Sequence, residues 1–331
     1  MERDSYYDSL KWVLVVLVLY GHMISNNFNV GGSVGRAVYN TLYLFHMPLF
    51  VFMSGRFSQL KDRRKYRMGI LRLLETYLLF QLLNVLYLFI QNGDFSLTKL
   101  LFEPVYVMWY LMSLVIWRLM VYFLGDNVMR RYPVAMIVAS YVVCLATGLF
   151  RHHQPLALQP TLVFMPFFLL GYYSAGIDVK QKVKRVPLWL AIVVVVAVFA
   201  VFYFLLNRNL RVLWGSFMYR TPKDVAFRVV YMVMSIVMSV AVMRLVPDSK
   251  RMAAWGSRTM FIYLWHPFVI FFICNVLPSS VRAADVWPVV YTALTAALLT
   301  WLARFKILND LLNPVTYVVS KLKKPVVRDD N

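Results

Sequence analysis

Three of the five histidines in this chain, His22, His46 and His266, fall inside long apolar runs. An imidazole titrates near neutrality, so it can take a proton from a hydroxyl and return it, the task of a general base. An ionisable side chain in hydrocarbon is costly and must face a cavity or a partner, which makes each a functional candidate. Asp8, Lys11 and His22 are separated by 3 and 11 residues, and an 11-residue step falls about 20° from a whole number of helical turns. The three therefore share one face of a helix, with His22 roughly 16 Å beyond Lys11 and near the middle of a membrane. The plainer alternative for His22 is a cap on its span at the interface. His46 stands in the run Tyr43 to Phe50 and is followed by Met47 and Pro48; a proline there frees a backbone carbonyl and bends the helix. His266 is likewise followed by Pro267, with Tyr263 three residues earlier on the same face. Each histidine alone suits interhelical hydrogen bonding, but three at similar depth suggest one polar cavity. A metal centre competes with that reading. No His-x3-His pair occurs in a span and His152-His153 lies between spans, so no metal is expected.

Cations and polar stripes extend the candidate list. Lys61, Arg63, Arg64, Lys65 and Arg67 lead into Arg72, which has Glu75 at i+3; the outermost of these suit attraction to anionic lipid. Arg72, expected a turn or more inside the span, suits a phosphate-bearing ligand. Tyr77, Gln81, Asn84 and Gln91 recur at helical spacing, as do Arg228, Tyr231, Ser235 and Ser239. Such stripes serve either helix–helix hydrogen bonding or a substrate route. Arg228, with Arg208, Arg211, Arg220 and Trp214, makes one loop region rich in side chains that bind sugars and anions.

The elements that must hold these residues follow from composition. The 331 residues are 61% hydrophobic and 15% charged, with a mean hydropathy of +0.63, which excludes a soluble enzyme, a disordered tail and a disulfide scaffold. Apolar windows fall at about 9–26, 37–57, 68–91, 104–124, 132–149, 160–176, 187–206, 225–246, 256–277 and 286–306. The runs are continuous rather than alternating, so the expected fold is an all-α polytopic membrane bundle of about ten transmembrane helices. One domain spans 1–331, with a basic tail over 307–331, and the first span reads as a retained anchor. Of the 35 lysines and arginines, 26 fall in the segments that share a side with the N-terminus, which predicts both termini in the cytoplasm. The net charge of +20 is thereby explained by topology, and no nucleic-acid partner is expected. Cys144 and Cys274 lie in apolar runs and read as packing residues.

Six motifs in order resemble the acyltransferase-3 family of integral-membrane O-acyltransferases, with closest similarity to its fucose-4-O-acetylase-like branch. They are Asp8, Lys11 and His22; Phe45 to Phe50 with Ser54-Gly55; Arg72 to Tyr77; Trp109 to Leu114; Pro166 to Tyr172; and Gly256 to His266. Lys11 stands where many members carry arginine, and Gly69 where a second arginine often precedes the one resembling Arg72, with Arg67 the nearest substitute. The resemblance implies acetyl-CoA, or another acyl-CoA, entering from the cytoplasm, and a polysaccharide or lipid-linked glycan acceptor approaching from the other side of a bacterial inner membrane. In that reading His22 is the general base, His46 assists or donates to the oxyanion, and Asp8 and Lys11 orient the inner end of the helix. Lys11, Arg67 and Arg72 serve the donor, and Trp109, Arg228, Tyr263 and His266 the substrate side. The alternative is a transporter or flippase using the same cavity, but the spans show no matching pair of interrupted repeats.

Overall fold

A computed structural model of the chain describes residues 4–27, 33–93, 95–150, 155–206, 211–215, 218–277, 287–316 and 318. Every regular element among them is helical, as the continuous apolar runs require. The long helices are α1 (Ser5–Asn27), α2 (Ser33–Arg56), α3 (Arg63–Asn92), α5 (Met108–Arg131), α6 (Pro133–Ala146), α7 (Leu158–Tyr173), α9 (Leu188–Ala200), α10 (Lys223–Leu245), α12 (Thr259–Val276) and α13 (Trp287–Leu302). Short helices α4 (Leu97–Phe102), α8 (Val179–Lys184), α11 (Lys250–Gly256) and α14 (Lys306–Asp310) lie between or after them. Among the described residues, seven helical segments are long and apolar enough to cross a membrane, and the apolar helices Pro133–Leu149 and Trp287–Leu302 are shorter. The protein is a polytopic helical membrane bundle.

The second expected span, over 37–57, falls in α2, whose burial explains its polar load. It packs against α1, α7, α9 and α10, so its faces meet protein more than lipid, and Asn40, Thr41 and His46 are buried. Pro48 has no N–H to give the Leu44 carbonyl one turn back, and Ser235 of α10 donates to that carbonyl at 2.7 Å. At its other end α2 crosses α7 backbone to backbone. A Cβ on Gly55 would strike the Phe168 carbonyl, and one on Gly171 would strike the Phe52 carbonyl, so glycine at both positions sets the closeness of the crossing.

Within the two polar stripes, Gln81, Asn84 and Ser235 make structural hydrogen bonds. Gln81 is fully buried and donates to the carbonyls of Lys99 and Glu103 at 2.7 and 2.8 Å while accepting from the Val105 N–H at 3.0 Å. One amide thus ties the segment between α4 and α5 to α3. Asn84 donates to Phe80 O at 2.7 Å, and Gln91 is exposed.

Charged and polar side chains close one end of the bundle, called here the basic end. Lys180 reaches Asp248 at 2.6 Å and Asp4 at 3.4 Å, Ser5 donates to Asp248, Arg56 donates to the carbonyls of Ser174 and Ile177, and Arg244 donates to Val186 O at 2.7 Å. The hydrogen bond to Asp248 raises the pKa of Lys180, and the bonds from Lys180 and Ser5 lower that of Asp248.

Candidate active site

A cavity of 260 Å³ lies among α1, α2, α5 and α12, lined by Lys11, Phe50, Ser54, Tyr110, Arg118 and Tyr263 among others. Lys11 enters it one turn after Asp8, whose carboxylate holds the ammonium at 2.5 Å, and the ammonium also lies 5.1 Å from the centre of the Phe57 ring. The start of α1 is placed by α11: a Cβ on Gly256 would strike the Asp8 carbonyl, so only glycine lets the two backbones meet. Arg118 extends from α5, with Nε donating to Ser58 Oγ at 3.2 Å and the guanidinium 5.7 Å from the Tyr66 ring. The Ser54 hydroxyl donates to Phe50 O at 2.9 Å, so in its 2.5 Å contact with Tyr110 the tyrosine is the donor.

Three rings close the cavity away from the cations. The centroids of Phe50 and Tyr110 lie 5.3 Å apart, those of Tyr110 and Tyr263 5.4 Å, and those of Phe50 and Tyr263 6.3 Å. Tyr263 donates its hydroxyl to Val107 O, which fixes the ring against the segment that Gln81 ties down. Its other neighbour is His266, ring to ring at 5.9 Å.

Beyond these rings the structure brings His22 and His266 into contact. Nδ1 of His22 lies 3.0 Å from Nε2 of His266, with the rings stacked at 16° and centroids 5.1 Å apart. His266 turns its Nδ1 to Ile262 O at 3.3 Å, and His46 turns its Nδ1 to Leu42 O at 2.7 Å. Tyr43 joins the groups: its ring meets His46 edge-on at 4.6 Å and packs where a Cβ on Gly21 would lie 3.2 Å away, beside His22. His46 and His266 are 2% and 1% exposed, whereas His22 is only partly buried, which leaves His22 the most open of these three histidines. A carbonyl cannot donate, so Nδ1 of His46 carries the proton and its Nε2 is a lone pair. The neutral His46 therefore offers an acceptor at Nε2, and its protonated form would donate there.

Other sequence-based candidates are dispersed. Asp8 is 14 residues, roughly 21 Å of helical rise, from His22 and acts on Lys11 instead. Arg67 and Arg72 are exposed on α3 and do not line the cavity, which corrects the expected burial of Arg72. Glu75 is not reserved for Arg72 either, because it accepts from the backbone N–H of Val315 at 2.6 Å and Thr316 at 3.2 Å, and from the Thr316 hydroxyl at 2.5 Å. Trp109 stacks on Phe164 with centroids 5.4 Å apart. Arg228 is wholly buried, 5.8 Å from the Tyr219 ring, rather than presented in an outer loop. Of the loop cluster expected around it, Arg208 and the side chains of Arg211 and Trp214 lie outside the described residues, as do His152 and His153; Arg220 is exposed. Cys144 packs against Met232, its sulfur 3.9 Å from the thioether. No three His, Cys, Asp or Glu side chains converge as metal ligands among the described residues.

Arg118 lines the cavity but is not among the sequence-based candidates. The available signal was position: it stands ten residues into the apolar helix that begins at Met108, where a charge calls for a cavity.

The acyltransferase-3 family model, described as an acyltransferase domain, matches residues 4–304. The chain belongs to this family. Nothing among curated proteins or solved structures matches it. The matched region runs from the start of α1 through α13, so the cavity, both its cations and all three membrane histidines lie within the family domain. Family and fold together make the protein a multi-pass membrane acyltransferase.

Proposed function

We propose that this acyltransferase moves an acetyl group from acetyl-CoA to a hydroxyl of a surface or lipid-linked polysaccharide sugar, in keeping with its resemblance to the fucose-4-O-acetylase-like branch. The observation that carries this reading is the cavity that holds Lys11 and Arg118 and ends at rings against His266, itself bonded to His22. Two cations suit the phosphates of CoA, and the aromatic walls suit its uncharged arm. The weight of positive charge at the basic end argues for its facing the cytoplasm of a bacterial inner membrane, with both termini inside and the donor entering there. The glycan then meets His22 from the opposite end. As the acceptor oxygen attacks the thioester carbonyl, His22 takes the hydroxyl proton; the new C–O bond forms, the C–S bond breaks, and the CoA thiolate leaves with that proton to give free CoA and the O-acetyl ester.

The test is purified protein in nanodiscs with labelled acetyl-CoA, with and without a glycan acceptor. Acceptor-dependent CoA release that His22→Ala abolishes, at an unchanged melting temperature, is expected. Movement of a glycan or small acid without CoA release would mark a transporter, and turnover by His22→Ala at the wild-type rate would sink the assignment of the base.

A further inference from the structure

A neutral imidazole has one N–H and one lone pair, and its tautomer decides which nitrogen can accept a proton. Near neutrality the Nε2–H form is the commoner in a free side chain, and His22 in that form would present a donor to the acceptor hydroxyl. A base on Nε2 needs the other tautomer, held by a partner that accepts from Nδ1.

The geometry points to His266 as that partner: we infer that His266 is a positioning residue that locks His22 in its Nδ1–H tautomer and leaves the His22 Nε2 lone pair as the base. This rests on the reading of His22 above. The direction of the His22–His266 bond is set by its far end. Nδ1 of His266 faces the Ile262 carbonyl, and the Tyr263 carbonyl, which loses its helical donor to Pro267, is a second acceptor beside the same ring. Carbonyls only accept, so the His266 proton resides on Nδ1 and its Nε2 holds a lone pair. That lone pair lies 3.0 Å from Nδ1 of His22, which must then be the donor. The polarity runs from His22 through His266 to the backbone of α12, and a ring only 1% exposed has little access to water that would reverse it. His46 is no substitute, because its Nδ1 is committed to Leu42 O on its own helix. The Tyr263 ring, held by its bond to Val107 O, braces His266 from the cavity side.

The tautomer can be read without turnover, by nitrogen NMR of protein in nanodiscs carrying 15N-histidine, with His22 assigned from its loss in His22→Ala. The wild-type His22 signal is expected to be that of the Nδ1–H form. In His266→Gln the amide oxygen can accept the same proton, so the tautomer should persist and kcat fall less than about tenfold. In His266→Leu the signal should move to the Nε2–H form and kcat fall by about a hundredfold or more, the scale of misdirected general-base catalysis, with the donor KM unchanged. An Nε2–H signal in the wild type, or a His22 signal unmoved in His266→Leu, would overturn the inference. So would equal loss of turnover in the Gln and Leu variants. Wild-type turnover by His22→Ala would instead overturn the base assignment itself, while the spectrum still judges the tautomer.

Discussion

Replacing Arg118 with alanine should weaken acyl-CoA binding while leaving the acceptor nearly untouched. Arg118 lines the cavity from α5, and Ser58 at 3.2 Å engages only its Nε, so the terminal nitrogens are the part of the side chain suited to phosphate oxygens. One charge-assisted hydrogen bond contributes about 1.5–3 kcal/mol. At about 1.4 kcal/mol per decade, its loss raises the donor KM roughly ten- to a hundredfold. Arg118→Lys keeps the charge without the fork and should fall between the two. Arg72→Ala is the control, because that side chain is exposed on α3 and lies outside the cavity; its effect on the donor KM should stay below about threefold, the scale of an exposed charge. The assay is thiol release against acyl-CoA concentration in nanodiscs, with CoA binding measured by calorimetry and melting temperature checked for each variant. If Arg72→Ala raised the donor KM more than Arg118→Ala did, the donor would be bound at the surface of α3 and the cavity assignment would be refuted.

Two further outcomes test the frame around the site. Gly171→Ala should destabilise the bundle by about 1–3 kcal/mol in a thermal melt, because the added methyl strikes the Phe52 carbonyl of α2, whereas Gly176→Ala, with open space at that position, should melt like wild type. Asp248→Asn should lower the melting temperature slightly at neutral pH by removing the nearer of the two carboxylates that pair with Lys180. Because the folded-state pKa of Asp248 is depressed, its contribution is full above the ordinary value of 3.8 and disappears as the pH falls through the lower folded value, so the two proteins should converge in acid.

The sequence by itself determined the solvent and the secondary structure. Runs of apolar residues too long and too numerous for one soluble core leave lipid as the solvent, and lipid leaves continuous runs only the helix. Helical periodicity and rise then fix which residues of one helix share a face and how far apart they lie, which is why the Asp8–Lys11 contact and its distance from His22 were legible. Periodicity says nothing about which helix stands opposite that face. Tertiary packing decided that His22 meets His266 rather than His46, that Ser235 caps the carbonyl freed by Pro48, and that Gln81 spends its amide on the segment before α5. It also decided which cations line the cavity. Here α3 turns Arg72 outward while α5 turns Arg118 toward Ser58, Tyr66 and the cavity. The rotation of each helix about its own axis is set by close contacts between helices, such as those at Gly55, Gly171 and Gly256, where backbone meets backbone, and a helix read alone carries no record of its partner.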